Sequence, residues 1–310
     1  MNLFATVLTH AAPTANYRGE SELNRSVIQK ISDGRHQFPI VSPEAIRNAL
    51  REVLRGYGLP MNRERLHDEE QLAVRFHAYP DPDAYADDFL FGYLIAATGK
   101  DRARILKEVQ REGFRFKRDS VLRMNLAKGL EPYRHDAVFT QSPQASTDSA
   151  YRNADSSALL HRETAVTSFQ YPFALNGNDC QAKPEWTHAL LRAIGELNGV
   201  AGNHARSYFE MAPASVSVRL TERLVAGHET YHFRVDRGPD NERRTTSTLI
   251  DDLLNADLDL PGGEFHLGGE WVRAMAPETH EGLLARGVTL DADAPRLLNV
   301  VAQTLTGGPA

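Results

Sequence analysis

Three arginines spaced four residues apart, Arg47, Arg51 and Arg55, form one ridge if the segment IVSPEAIRNALREVLR is helical, with Asn48 beside them. Guanidinium groups are planar, permanently charged fork donors, so a row of them on a packed helix can hold the phosphates of a polyanion in register. A solvated helix face would look the same, and this helix alone does not decide between the two. A second constellation is the turn GVAGNHARSY at 199–208, where Gly199 and Gly202 permit close backbone approach and Asn203, His204 and Arg206 supply polar partners. Such a turn suits a phosphate, held by amide groups and a guanidinium, although a tight turn with incidental polar residues has the same composition. The third is FRFKRDSVLRMNLA at 114–127, where Arg115, Lys117 and Arg123 fall on alternate positions of one strand face.

Other chemistries lack their patterns. The chain has 12 histidines but neither an HExxH helix nor a paired Cys and His spacing, so no metal is expected. His10, His36 and His204 read as hydrogen-bonding residues near turns. No nucleophile elbow, Walker loop or GxGxxG after a strand is present, so neither a catalytic residue nor a cofactor is expected. Asp87 with Asp88, and Asp251 with Asp252, read as acids that complement helix starts.

The elements that would position the basic groups follow from pattern. Residues 3–9 read as a buried strand, and APTANYRGESELNRSVIQKI after it reads as a loop carrying Arg18, Asn24, Arg25 and Lys30. Ser42 is a good N-cap, Pro43 suits the first helical position, and Ala45, Ile46, Ala49, Leu50, Val53 and Leu54 make the apolar face of a helix over 42–57. Residues 60–113 read as mainly helical, an insertion rather than part of a sheet. From Tyr133 to Thr164 runs a polar stretch with little periodicity, too long for an ordinary connection and therefore read as a functional arm or a disordered segment. Strands are expected again at 165–175 and 214–220, with a helix over 184–198 between them. Insertions aside, the order is βαββαβ, an α+β arrangement of the ferredoxin-like or RNA-recognition-motif type, which many functions share.

With 310 residues, 41% hydrophobic and 25% charged, the chain can bury a substantial core, and it has no apolar run long enough to span a membrane. The opening MNLFATVLTH lacks the pattern of a secretory signal, and the single Cys180 cannot form an internal disulfide, which favours a cytoplasmic setting. The net charge of −6 argues against indiscriminate coating of nucleic acid but hides an asymmetry. Residues 102–134 hold ten Lys and Arg against four acids, whereas 250–296 hold three Arg against ten acids. One basic and one acidic surface suit a subunit that binds a polyanion on one side and neighbours on another.

The series VLTHAAPTANYRGESELNRSVIQKI, GRHQFPIVSPEAIRNALRE and GVAGNHARSYFEMAPASVSVRLT, in this order and spacing, resembles the DevR-type backbone subunit of the type I CRISPR-associated Cascade complex. The resemblance spans residues 3 to about 220, and the acidic C-terminal quarter falls outside it. It implies a hand-shaped, non-enzymatic antiviral subunit that polymerises as a helical oligomer along a guide RNA (crRNA). The guide is presented to target DNA, in company with other Cascade subunits. The palm would be 1–57, 114–132 and 165–310, the helical fingers 58–113, and the long thumb loop 133–164. Carried onto this chain, Arg18, Asn24 and Arg25 would lie along guide phosphates; Ser42, Asn48 and Arg51, with Arg47 as a neighbour, would contact RNA from the helix, ahead of Arg55. Gly202, Asn203, His204 and Arg206 would form a backbone-contacting loop, and Tyr151 and Arg152 would act from the thumb. Related subunits cut target RNA with a thumb aspartate and a metal ion, which makes Asp136, Asp148 and Asp155 the residues of the alternative, a ribonuclease.

Overall fold

Ser42 and the apolar spacing behind it settle the first helix: the Ser42 hydroxyl accepts a hydrogen bond from the Ala45 amide at 3.2 Å, Pro43 takes the first position, and Ala45, Ile46, Ala49, Leu50 and Leu54 are buried. The computed structural model describes residues 1–14, 17–22, 25–67, 72–141, 159–200, 209–237 and 243–307. Strand β1 (Asn2–Thr9) is followed by β2 (Ala12–Thr14), β3 (Tyr17–Glu22), β4 (Arg25–Ile28), β5 (Lys30–Ser32), β6 (Gln37–Val41) and helix α1 (Pro43–Gly56). Next come β7 (Arg63–His67), β8 (Leu72–Phe76), α2 (Ala86–Phe91), β9 (Tyr93–Leu94), α3 (Gly99–Val109), β10 (Lys117–Arg118), β11 (Arg123–Met124) and β12 (Ala127–Gly129). The chain continues through β13 (Asp136–Gln141), β14 (Leu159–Thr167), β15 (Phe169–Asn176), α4 (Gly177–Ala182), α5 (Pro184–Gly195), β16 (Pro213–Thr221), β17 (Phe233–Arg237) and β18 (Arg243–Ser247). Helix α6 (Thr248–Leu254), β19 (Phe265–Gly269), α7 (Glu270–Arg273), α8 (Pro277–Ala285), β20 (Thr289–Asp291) and α9 (Ala294–Thr306) complete it.

The central sheet runs β20-β19-β16-β1-β15-β12-β6-β5, with β11 also on β15. Its middle, β16-β1-β15-β12, is antiparallel throughout and sets the expected fourth, first and third strands side by side, with β12, which shares only Ala127 with the expected second strand, beyond them. Alternation assigns the faces. Leu3, Ala5 and Val7 of β1 and Val216, Val218 and Leu220 of β16 join the core formed with α1, α5 and α9. The other face carries Thr6, Gln170, Ser217 and Arg219, all buried, because the chain from Ala226 to Phe233 crosses over it. Thr6 Oγ1 donates to the Thr230 carbonyl at 2.6 Å, the Gln170 amide exchanges two 3.1 Å bonds with the Phe233 backbone, and Arg219 pairs with Glu264 at 2.7 Å.

His232 sits at the centre of this polar layer, bonded to Ser217 Oγ at 2.7 Å and Ser247 Oγ at 2.8 Å and stacked on Trp271. Burial, assisted by His228 and Arg234, pulls its imidazole down to about 3. The unfolded chain binds this proton near pH 6.5 and the folded chain does not, so the contribution is complete above pH 6.5 and is lost as the pH falls toward 3. Denaturation midpoints should show a loss of about 1.4 kcal/mol per pH unit in this window, and His232→Gln should flatten that slope.

Several elements depart from the sequence reading. The loop after β1 contains four short strands, β2 to β5. The 60–113 segment is less helical than its composition implies: β7 and β8 pair as a hairpin, and α2 has only 6 residues. The expected strand over 114–127 is broken at Ser120, whose hydroxyl bonds the Leu90 carbonyl at 3.0 Å. Lys117 therefore pairs with β9, whereas Arg123 joins the central sheet, and the two do not share a strand. The stretch read as a structureless arm begins and ends in paired strands, β13 and β14, in register from Asp136 with Thr164 to Gln141 with Leu159.

Candidate nucleic-acid interface

Between α1 and the β7–β8 hairpin lies a cleft of about 380 Å³ lined by Arg47, Asn48 and Arg51 from α1 and by Arg63, Arg75, Phe76, Phe91 and Leu94 from the insertion. The α1 face that sequence reading left open between groove and solvated surface is thus the wall of a cavity. Arg51 forms part of the floor and is 6% exposed. Its Nη1 donates to Asn48 Oδ1 at 2.6 Å, its guanidinium lies 4.8 Å from the Phe91 ring centre, and Asp87 stands 3.8 Å from its Nε. Burial, then the charge of Arg63, lowers the Arg51 guanidinium to about 10, and Asp87 opposes the shift.

Arg63 approaches from the hairpin, donating to the Gly92 carbonyl at 2.7 Å and stacking 5.0 Å from the Phe76 ring centre. Gly92 has φ +63°, and a Cβ there would collide with the Arg118 carbonyl, so this turn requires glycine. Arg47 reaches Glu44 at 3.3 Å, and Arg75, on the exposed rim, reaches Glu64 at 3.2 Å. Four guanidinium groups thus face a cavity with one lining carboxylate, Glu44. Among the described residues, the buried Nε atoms of Arg47 and Arg51 have no hydrogen-bond partner. A phosphate fits the charge, and the rings of Phe76 and Phe91 suit a base or ribose edge.

Asp87 and Asp88 do more than complement the start of α2. Asp87 accepts from the Asn62 amide at 2.8 Å and the Arg63 amide at 3.0 Å. Asp88 accepts from Asn62 Nδ2 at 2.7 Å and from the Asp81 amide at 2.9 Å, and burial raises its pKa. The pair thus ties the start of β7 and the Asp81 turn to α2, and Asp87 alone reaches α1, at Arg51.

The other expected contacts fall elsewhere. The Ser42 hydroxyl is engaged by Ala45 and does not line the cleft. Arg55 turns away to Glu52 at 2.6 Å and to the Arg63 carbonyl at 2.6 Å, in keeping with its lower rank. Arg18 and Arg25 lie on β3 and β4, with their own side chains outside what the structure describes; β4 runs parallel to β14, with Arg25 opposite His161. Asn24, Tyr151, Arg152, Gly202, Asn203, His204 and Arg206 lie outside the described residues, as do Asp148 and Asp155. Asp136 accepts from the Ala137 amide at 2.8 Å. No group of three metal-ligating side chains comes together among the described residues.

A second cleft, about 600 Å³, lies at the foot of the β13–β14 hairpin beside Tyr133, Arg134 and His135. On the hairpin itself, exposed Phe139 of β13 stacks on His161 of β14 at 4.7 Å. Lys30 pairs with Glu163 at 2.7 Å below it and lies 4.1 Å from the Tyr133 ring centre. Burial raises the Glu163 carboxyl, but Lys30 and the Ile28 amide hold it below its ordinary value.

Arg63, Arg75 and Phe76 escaped sequence reading. Their signal is the alternation in RERLH and LAVRF on either side of a polar DEEQ turn, a hairpin pattern inside a segment read as helical.

No family model matches the chain. A curated protein of Myxococcus xanthus (strain DK1622), "CRISPR-associated protein Cas7/Cst2/DevR", is 29% identical over 299 residues, covering 91% of each. Two solved structures share the fold. A chain of a "CRISPR RNA-guided surveillance complex, pre-nicking" aligns with TM-score 0.60 over 98% of this chain and 100% of its own, at 12% identity. A chain of a "CRISPR RNA-guided surveillance complex" aligns with TM-score 0.56 over 98% and 99%, also at 12% identity. Among the described residues no helix is long and apolar enough to cross a membrane. In sequence, over nine-tenths of its length, the chain is similar to a DevR-type CRISPR protein, as its own motifs suggested, and in fold, over nearly all of it, to chains of CRISPR surveillance complexes.

Proposed function

We propose that this chain is a guide-RNA-binding backbone subunit of a type I CRISPR interference complex in the cytoplasm, gripping the guide between α1 and the β7–β8 hairpin. The observation that carries this reading is the cleft itself: four arginines around one cavity, two with unpartnered buried nitrogens, beside two phenylalanine rings. Such a site takes backbone phosphate by charge and a nucleotide by stacking, without reading its sequence. Sequence is left to base pairing between the guide and target DNA.

The strands β16-β1-β15-β12 with α1 and α5 would be an RNA-recognition-type palm, residues 58–113 the fingers and 133–164 the thumb. RNA-recognition modules stack bases on an open sheet face, but here the chain from Ala226 to Phe233 covers that face. The guide would therefore run along the α1 edge. Further copies would follow head to tail, with other Cascade subunits at the ends. The similarity to a Cas7/Cst2/DevR protein and to chains of CRISPR surveillance complexes supports this assignment.

The test is to express the chain with its array and partner subunits, purify it natively and extract nucleic acid. The expected result is RNA of one uniform length; the absence of such RNA overturns the reading.

A further inference from the structure

Directly opposed residues of four neighbouring strands form one row on the covered face of the central sheet: Arg219 of β16, Phe4 of β1, Ala174 of β15 and Arg123 of β11. The crossing chain covers only part of this row. It closes over Arg219, which is fully buried and donates to the Ala226 carbonyl at 2.6 Å, and it is fastened farther along β1 by the bond from Thr6 to the Thr230 carbonyl. Beyond that line Phe4 and Ala174 are half-buried and Arg123 is exposed. A pocket of about 340 Å³ opens there, with His228 and Thr230 of the crossing chain on one side and β11 on the other.

The lining defines what would fit. Ala174 adds little bulk, so it leaves a low floor between an aromatic ring and a cation that stand two strand spacings apart, about 10 Å. No carboxylate lines the pocket, and Arg123 has no ion pair among the described residues. In the α1 cleft, by contrast, Arg47 and Arg75 each have a carboxylate partner. A mainly apolar pocket with a few polar groups, of this size, is the usual form of a small-ligand site. Burial holds the His228 imidazole below its ordinary value, so the ring is neutral at pH 7. Its Nδ1–H donates to the Ala226 carbonyl at 3.0 Å, which leaves Nε2 as an acceptor. The ligand therefore combines a flat ring for Phe4, an anion for Arg123 and a donor for His228. A nucleotide has all three, whereas an aromatic carboxylate lacks the donor beside its ring.

We propose that this corner of the sheet is a second nucleotide site, taking one base against Phe4 with its phosphate on Arg123. It is distinct from the α1 cleft, because α1 packs on the sheet face that carries Leu3, Ala5 and Val7, and Phe4 belongs to the opposite face. A nucleotide here is additional to a guide held at α1, and the proposal stands whether or not that reading does. A free nucleotide and one residue of a strand offer the same chemistry, and the test separates them.

The experiment titrates adenosine monophosphate (AMP) by calorimetry into the full chain expressed alone and into the natively purified complex. The chain alone should bind it saturably. Arg123→Ala and Phe4→Ala should each weaken binding about tenfold, whereas Phe4→Tyr keeps the ring and should retain it. Adenosine, which has no phosphate, should bind equally to the wild-type chain and to Arg123→Ala. Arg123 is exposed, so its variant reads the site even if Phe4→Ala fails to fold. AMP bound by the complex as well identifies a free nucleotide as the ligand; AMP bound by the chain alone but excluded from the complex identifies a strand nucleotide already in place. The proposal is overturned by absence of saturable binding to the chain alone, by affinity indifferent to Arg123→Ala or to a folded Phe4→Ala, or by tighter binding of N-acetylphenylalanine than of AMP.

Discussion

Replacing Asp87 by alanine should destabilise the protein by about 3–5 kcal/mol, the range for removing one partner of a buried ion pair. The carboxylate has no exposure, accepts two backbone amides from the start of the β7–β8 hairpin, and faces the guanidinium of Arg51. Without it, a buried cation that already feels Arg63 and Arg47 loses its nearest counter-charge, and two amides lose their acceptor. Asp87→Asn keeps one acceptor oxygen and should lose less. The midpoint of urea denaturation measures both effects, and a change under 1 kcal/mol for the alanine variant would show that the insertion is not fastened through this residue.

The second large effect concerns guide affinity. Arg47 and Arg75 stand on opposite walls of the cleft and have only single carboxylate partners, Glu44 and Glu64, so either can turn to a phosphate without disturbing the floor. Each phosphate contact on single-stranded nucleic acid contributes about 0.7 to the slope of log affinity against log salt. Arg47→Ala with Arg75→Ala should therefore flatten the slope by about 1.4 and weaken binding similarly for guides of different sequence. Arg51→Ala is a poorer probe, because its buried guanidinium also holds the fold together. An unchanged slope would place the guide elsewhere.

How far these features can be read in the residues depends on the range of the physics involved. The α1 boundary was legible because capping and amphipathic spacing act within a few residues, and β1, α5 and β16 followed from equally local patterns. Lys117 and Arg123 show what local pattern misses. Their alternation suggests one strand, but the bend at Ser120 is stabilised by a bond to Leu90, some thirty residues away in sequence. The cleft was half legible. Arg47, Asn48 and Arg51 announced themselves on one helix, whereas Arg63 and Arg75 matter only because β7 and β8 pair and Asp87 links the start of that hairpin to Arg51 of α1. Nor does the sequence show that the second face of the sheet is covered, since that depends on bonds such as Gln170 to Phe233.

Photo-cross-linking of guide RNA within the natively purified complex, with the adducts located by mass spectrometry, tests the central claim most directly. The account predicts adducts on peptides that contain Phe76 or Phe91 and on the α1 peptide around Arg47 to Arg51. Adducts confined to other surfaces, with those peptides unmodified, would contradict it.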